Sequence, residues 1–261
     1  MRISTIKNSK IQNFIFILFW LLIWELAAKI INIPVILPSV EQTIQALITM
    51  GRQLSFYQNV GLTLFRVFAG VGLSIVLGIL LGMLSGLYAP VYRFLNPVMS
   101  VIKSTPVVSF IILALVWMRT DSIPIFVCFL MCVPIIWTNV TQGIIDTDKK
   151  LLQMCSIYKI KYIRIIKDVY IPSVRGYIFS SIAASIGIGW KATVAAEVLA
   201  RPEISMGGGM YNAKIYLQTE NLFALTLAVI ILSFIFEYII KNFLNKLSKG
   251  RQMNVNNNRK S

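Results

Sequence analysis

The chain contains no histidine and few charges: 13% of its 261 residues are Asp, Glu, Lys or Arg. A soluble domain carries about 25%, too many for this chain to match as a globule of its size. Without His, neither Ser-His-Asp nor Cys-His catalysis nor a His-ligated metal centre is available. The three cysteines, Cys128, Cys132 and Cys155, are odd in number, and the first two sit four apart on one helix. Neither a disulfide framework nor a zinc spacing emerges, and they read as packing residues. No Gly-Lys pair occurs, which removes the Gly-x-x-x-x-Gly-Lys-Ser/Thr phosphate loop. The residues therefore offer no catalytic group, metal ligand set or cofactor site, and an intramembrane enzyme has little support.

What is abundant is apolar. Hydrophobic residues make up 57% of the chain, and mean hydropathy is +0.74. Six stretches run near the ~20 residues a helix needs to cross a bilayer: Phe14–Ile31, Val60–Leu87, Val98–Met118, Ser122–Thr141, Ser173–Leu199 and Leu222–Leu244. The expected fold is an all-α integral membrane domain. It has about six spans, both termini in the cytosol, and a helical cytosolic loop between spans four and five. The basic, then apolar, N-terminus reads as a retained signal anchor, because no small-residue cleavage site follows.

The net charge of +15 is explained by its placement. With the N-terminus inside, most Lys and Arg fall on the cytosolic face, including Arg93, Lys103, the cluster from Lys149 to Arg175, and the tail. That asymmetry obeys the positive-inside rule and points to anionic lipid rather than nucleic acid. Residues 1–13 read as a cytosolic segment, 14–247 as the membrane domain, and 248–261 as a polar tail expected to be disordered.

Several local features stand out. Pro34 and Pro38 force an extended linker, and Ser39 is placed to cap an amphipathic helix that ends at Gly51. Gly78, Gly82 and Gly86 recur at four-residue intervals in span two, as do Ser181, Ser185 and Gly189 in span five. Small residues on one face let helix backbones approach where lipid offers no hydrophobic gain. Pro106 lies inside the third span. Ionisable groups inside spans are default site candidates: Arg66, Lys191 and Glu197 first, with Glu25 and Glu237 as anchors. Lys191, near the middle of span five, would suit an anion. Arg66 and Glu197 read equally as structural ion pairs, with Arg201 one helical turn from Glu197. Gly207-Gly208-Gly209 reads as a turn in an outer loop.

The loop 142–171 is basic and reads as two short amphipathic helices. One has an apolar stripe of Leu151, Leu152, Cys155 and Tyr158, the other of Ile163, Ile165, Ile166, Val169 and Tyr170. So much apolar surface outside the membrane should dock a soluble partner.

Here the sequence resembles the permease subunits of bacterial ABC importers of the nitrate/sulfonate/taurine type. Gln153-Met154-Cys155-Ser156-Ile157-Tyr158-Lys159, followed by Val169-Tyr170-Ile171-Pro172, keeps the length of that family's Glu-Ala-Ala…Gly coupling signature up to its Pro. Trp24-Glu25, Leu37-Pro38-Ser39, Thr63-Leu64-Phe65-Arg66-Val67, Asn96-Pro97, Asp146…Leu151-Leu152 and Ala195-Ala196-Glu197 before Gly207-Gly208 follow in family order. The resemblance implies a subunit that forms a translocation pathway for a small solute, such as a sulfonate, a nitrate-like anion or a vitamin precursor. It also implies a second permease, a separate cytosolic ATPase docked on the loop, and an extracytoplasmic binding protein. The sequence departs from the signature where Gln153 replaces its Glu and Lys159 its Gly. The Gly allows a positive-φ turn, which Lys adopts only at a cost. A carrier or channel without an ATPase is the competing reading, but it has no need of such a loop.

Overall fold

The computed structural model describes residues 9–257. Among them there are only helices: α1 (Ser9–Ile31), α2 (Val40–Gly51), α3 (Leu54–Leu87), α4 (Ala89–Ser104), α5 (Val107–Trp117), α6 (Ile123–Ile145), α7 (Lys149–Ile157), α8 (Tyr162–Ile165), α9 (Ile171–Ala200), α10 (Met206–Ile215) and α11 (Thr219–Asn257). One π-helical turn, Ile166–Tyr170, joins α8 to α9. Four stretches are long and apolar enough to cross a membrane, and the bent pair α4–α5 makes a fifth. The 23-residue α1 is not among these, so four or five of the six expected spans are seen among the described residues.

The centre of the bundle is the contact of α3, α6 and α9, and small residues decide its geometry. Side chains of α6 lie against the α3 glycines one after another. A Cβ added at Gly70, Gly78, Gly82 or Gly86 would come within 2.6 Å of Cys128, 2.8 Å of Ile136, 2.8 Å of Val140 and 2.5 Å of Ile144, respectively. On the other side of α6, a Cβ at Gly189 of α9 would meet the sulfurs of Cys128 and Cys132 at 3.0 and 3.1 Å. Ser181 and Ser185 are buried at the same seam, and Cys132 donates to the Ser185 carbonyl at 3.2 Å. Hydrogen bonds between helices reinforce the approach, from Ser74 to the Phe129 carbonyl and from Trp137 Nε1 to Ser85.

The third span departs from expectation. It is not one straight helix over Val98–Met118. The chain bends by 101° between α4 and α5, because Pro106 has no N–H to continue the ladder and its ring disfavours helix at Thr105. Thr105 is extended, with φ −79° and ψ 128°. Pro97, by contrast, sits within α4. Two further boundaries differ. Gly207-Gly208-Gly209 is the first turn of α10 rather than an open loop. The last span continues as helix to Asn257, so most of the tail expected to be disordered is helical; residues 258–261 and 1–8 lie outside the described residues.

On the outer side the N-terminal region meets its expectation. Ser39 and Gln42 form a reciprocal capping box at the start of α2. Glu25 accepts from the Val40 N–H at 3.1 Å, and Trp24 Nε1 donates to the Pro38 carbonyl at 3.0 Å. The anchor role expected of Glu25 is thus to fix α2 on the outer end of α1.

Gly82→Val should force α3 and α6 apart, an overpacking cost of about 1–3 kcal/mol, read as a lower thermal unfolding midpoint in detergent. Gly61→Ala is the control, since nothing lies within 4 Å of a Cβ there, and it should leave the midpoint unchanged.

Candidate functional site

Two places gather chemistry. The first lies toward the outer end of the bundle, where Arg66 of α3 and Glu197 of α9 are 5% and 0% exposed. Their side chains pair at 2.8 Å. Thr63, one turn before Arg66, donates its hydroxyl to Glu197 Oε2 at 2.9 Å and accepts from the Met206 N–H at 3.1 Å. The Gly207 N–H donates to Glu197 Oε2 at 3.2 Å. Arg66 also donates to the Ile204 carbonyl at 2.9 Å and meets Asp121, ahead of α6, at 3.3 Å. Burying either charge alone would be costly; together, with these hydrogen bonds, they satisfy one another.

The cluster explains the glycines. A Cβ at Gly207 would lie 2.5 Å from Glu197 Cβ, so only Gly lets the first turn of α10 descend onto α9. Ser205 caps that turn by accepting from the Gly208 N–H at 2.9 Å. Arg201 does not pair with Glu197. It ends α9 in a left-handed conformation, φ 54°, and its guanidinium covers the Tyr211 ring at 4.7 Å. Sequence reasoning paired Glu197 with the nearer basic residue; Arg66 is 131 positions away, and only the fold brings the two together. Thr63-Leu64-Phe65-Arg66-Val67 and Ala195-Ala196-Glu197 stand out in the sequence as separate stretches, but nothing in their spacing joins them.

Lys191 stands apart. It is exposed, on the face of α9 shared by Ser180, Ala184 and Ile188. Glu237, the other anchor, lines a cavity of about 420 Å³ between α3, α9 and α11, together with Val71, Ile186, Trp190 and Phe236. There it closes on Gly187, where a Cβ would lie 2.9 Å from its Oε1.

The second place is the cytosolic loop. Asp148 caps α7 by accepting from the Lys150 N–H at 2.8 Å. Asp146 is held by Gln142 at 2.8 Å and by the Tyr177 hydroxyl at 2.7 Å, which ties the loop to α9. The turn between α7 and α8 keeps the geometry of a Gly although the residue is Lys159, at φ 49°. Its N–H donates to the Ser156 carbonyl at 3.1 Å and the Ile160 N–H to Cys155 at 3.0 Å, the paired bonds of a Schellman motif. Cys155 and the partly buried Leu152 face the bundle, while Leu151, Gln153, Met154, Ile157, Tyr158 and Ile163 face outward. Ile157, Tyr158 and Ile163 are 75%, 74% and 76% exposed. The second loop helix is not detached, as expected, but runs through the π turn into α9. Ile171 and Pro172 therefore lie inside one continuous helical stretch, Tyr162–Ala200. Pro172 is tolerated because it falls in the first turn of α9.

Glu197→Ala should cost about 3–5 kcal/mol by stranding the buried guanidinium, measured as loss of folded protein on heating. Asp121→Asn, at an exposed partner, should cost less than about 1 kcal/mol. Lys159→Gly relieves the left-handed turn and should stabilise the protein by about 1 kcal/mol; Lys159→Val should lower the melting temperature.

The chain matches the family described as binding-protein-dependent transport system inner membrane component over residues 74–249. A putative ABC transporter permease of Methanocaldococcus jannaschii is 27% identical over 190 residues, 71% of each chain. The putative aliphatic sulfonates transport permease SsuC of Escherichia coli K12 is 27% identical over 200 residues, 76% of each. Other relatives are named bicarbonate, nitrate and taurine permeases. In fold, a chain of an inward-facing structure of the MetNI methionine ABC transporter superposes with a TM-score of 0.53 at 15% identity, covering 74% of this chain and 93% of that one. The all-helical membrane bundle, its charge asymmetry, its loop and these matches agree: the chain belongs to the family of inner-membrane components of binding-protein-dependent transport systems, as an ABC importer permease subunit.

Proposed function

We propose that this subunit docks its ATPase on α7 and α8 and relays ATPase closure along α9. The observation that carries the reading is the exposed apolar ridge of Met154, Ile157, Tyr158, Tyr162 and Ile163, held by a fixed turn on a helix that continues into the membrane. An apolar ridge on a cytosolic projection gains nothing from lipid and is a contact surface for a soluble protein. Gln153 and Lys159, where the family signature is eroded, border this ridge, and the turn it needs survives. ATP hydrolysis belongs to the separate partner, since the chain carries no phosphate loop.

The rest of the assembly follows the family pattern: a second permease copy or homologue completes the pathway, and an extracytoplasmic binding protein delivers a small solute. Relatives named for nitrate, bicarbonate, sulfonates and taurine support an anionic or zwitterionic solute. Of the pathway candidates, Arg66 and Glu197 are engaged with each other and with α10, and they act by holding the outer end closed. Lys191 is the one that offers its side chain to a pathway.

Deleting Leu151–Lys167 should leave the protein inserted in the membrane but unable to retain its ATPase in a pull-down. Retention would support instead a carrier or channel that works without an ATPase.

A further inference from the structure

The seam does not account for every glycine of α3. Gly72 faces no helix: a Cβ added there would meet nothing within 4 Å. It lines instead the cavity of about 420 Å³ between α3, α9 and α11. That cavity exists because α11 packs on α2, α10 and α9 but hardly touches α3. Phe68 of α3 meets Phe236 of α11 edge to face at 5.7 Å, and Phe236 stacks on Trp190 at 5.6 Å. Beside this bridge the two helices stand apart. Phe68 is 54% exposed, and Gly72, Ile75 and Ile240 are partly open. The cleft therefore opens sideways at mid-span, into the bilayer.

Three properties select the occupant. The first is polarity. Apart from Ser233 and Glu237 the walls are Val, Ile, Phe, Gly and Trp, and Glu237 is already engaged by the chain itself. Apolar cavities stay free of water and take up hydrocarbon. The second is length. The wall formed by 179–190 is about 16 Å of helix, close to the hydrocarbon depth of one leaflet, about 15 Å. It lies toward the cytosolic side, since Glu197 and the outer knot are further along α9. The third is charge. Arg175, Phe179, Ile182, Ile186 and Trp190 follow one another on a single face of α9 at three- and four-residue spacing. Arg175 thus stands one turn cytosolic of the cleft, at the level of the inner headgroups. Among the described residues no carboxylate pairs with it.

We propose that the cleft between α3, α9 and α11 holds one acyl chain of an inner-leaflet glycerophospholipid, with the lipid phosphate on Arg175. The lipid completes the wall that the chain leaves open between α3 and α11, and Gly72 is the residue that makes room for it. The inference goes beyond the permease reading. It requires only that the bundle spans a membrane, and it stands or falls apart from ATPase docking.

The probe is a phosphatidylglycerol with a diazirine at the end of one palmitoyl chain, added to the full chain in phosphatidylcholine nanodiscs. Cross-links formed on irradiation are mapped by peptide mass spectrometry. They should appear at the deep end of the cleft, on residues 67–71 and 186–190. Ordinary surrounding lipid is reported by Leu73 and Phe234, 52% and 70% exposed. Gly72→Leu, whose side chain enters the cleft without a clash, should abolish the cleft cross-links and leave those at Leu73 and Phe234. Arg175→Gln, at a half-buried interfacial position, should lower cleft labelling relative to those two sites about fivefold. This second variant gives a reading even where Gly72→Leu folds poorly. Labelling at Leu73 and Phe234 with none in the cleft of the unmodified chain overturns the proposal and assigns the cleft to protein, such as a helix of a second copy. Cleft labelling unchanged by either substitution overturns it too. ATPase retention in a pull-down is unaffected by any of these outcomes and tests the permease reading separately.

Discussion

In a bilayer, apolar side chains gain nothing by leaving lipid for one another, so helix association depends on how closely backbones can come. The seam of Gly70, Gly78, Gly82 and Gly86 against α6, with Gly189 closing from α9, meets that constraint. Every other feature is hung on these three helices. The outer ion pair joins α3 to α9 because the seam holds them at side-chain distance. Trp137 reaches Ser85, and Tyr177 reaches Asp146, for the same reason.

The two ends of the bundle are built on different principles. The outer end is a closed polar knot, in which Thr63 and Glu197 hold the first turn of α10 through its N–H groups and Arg66 donates to the Ile204 carbonyl just ahead of it. The inner end is open and apolar, with α7 and α8 presenting side chains that no part of the described chain covers. One end stabilises itself, and the other waits for a partner.

The fold was legible wherever composition or periodicity acts locally. The spans, the Ser39 cap and the glycine face needed only the physics of a helix in lipid. The positive-φ demand at Lys159 could be foreseen from a substitution at a Gly position, and the backbone adopts it. What remained hidden depends on distance along the chain. Glu197 finds Arg66 rather than Arg201, and the three consecutive glycines serve close approach to Glu197 rather than a loose loop. Pro106 was visible as an interruption, but the 101° bend it permits also depends on how α5 seats on α6 and α9.

The helical stretch from Tyr162 to Ala200 spans 39 residues, about 58 Å of helix, and in the proposed relay it is a lever that turns about the glycine seam. Tilted by about 5° about Gly189, it moves its cytosolic end, about 40 Å away, by about 3.5 Å and Glu197, about 12 Å away, by about 1 Å, a shift that can take a hydrogen bond of the Arg66–Glu197 knot past its normal length. On that proposal, a tilt of a few degrees at the cytosolic end is felt as strain on the 2.8 Å Arg66–Glu197 contact on the far side of the membrane, and the seam yields in angle, not in separation.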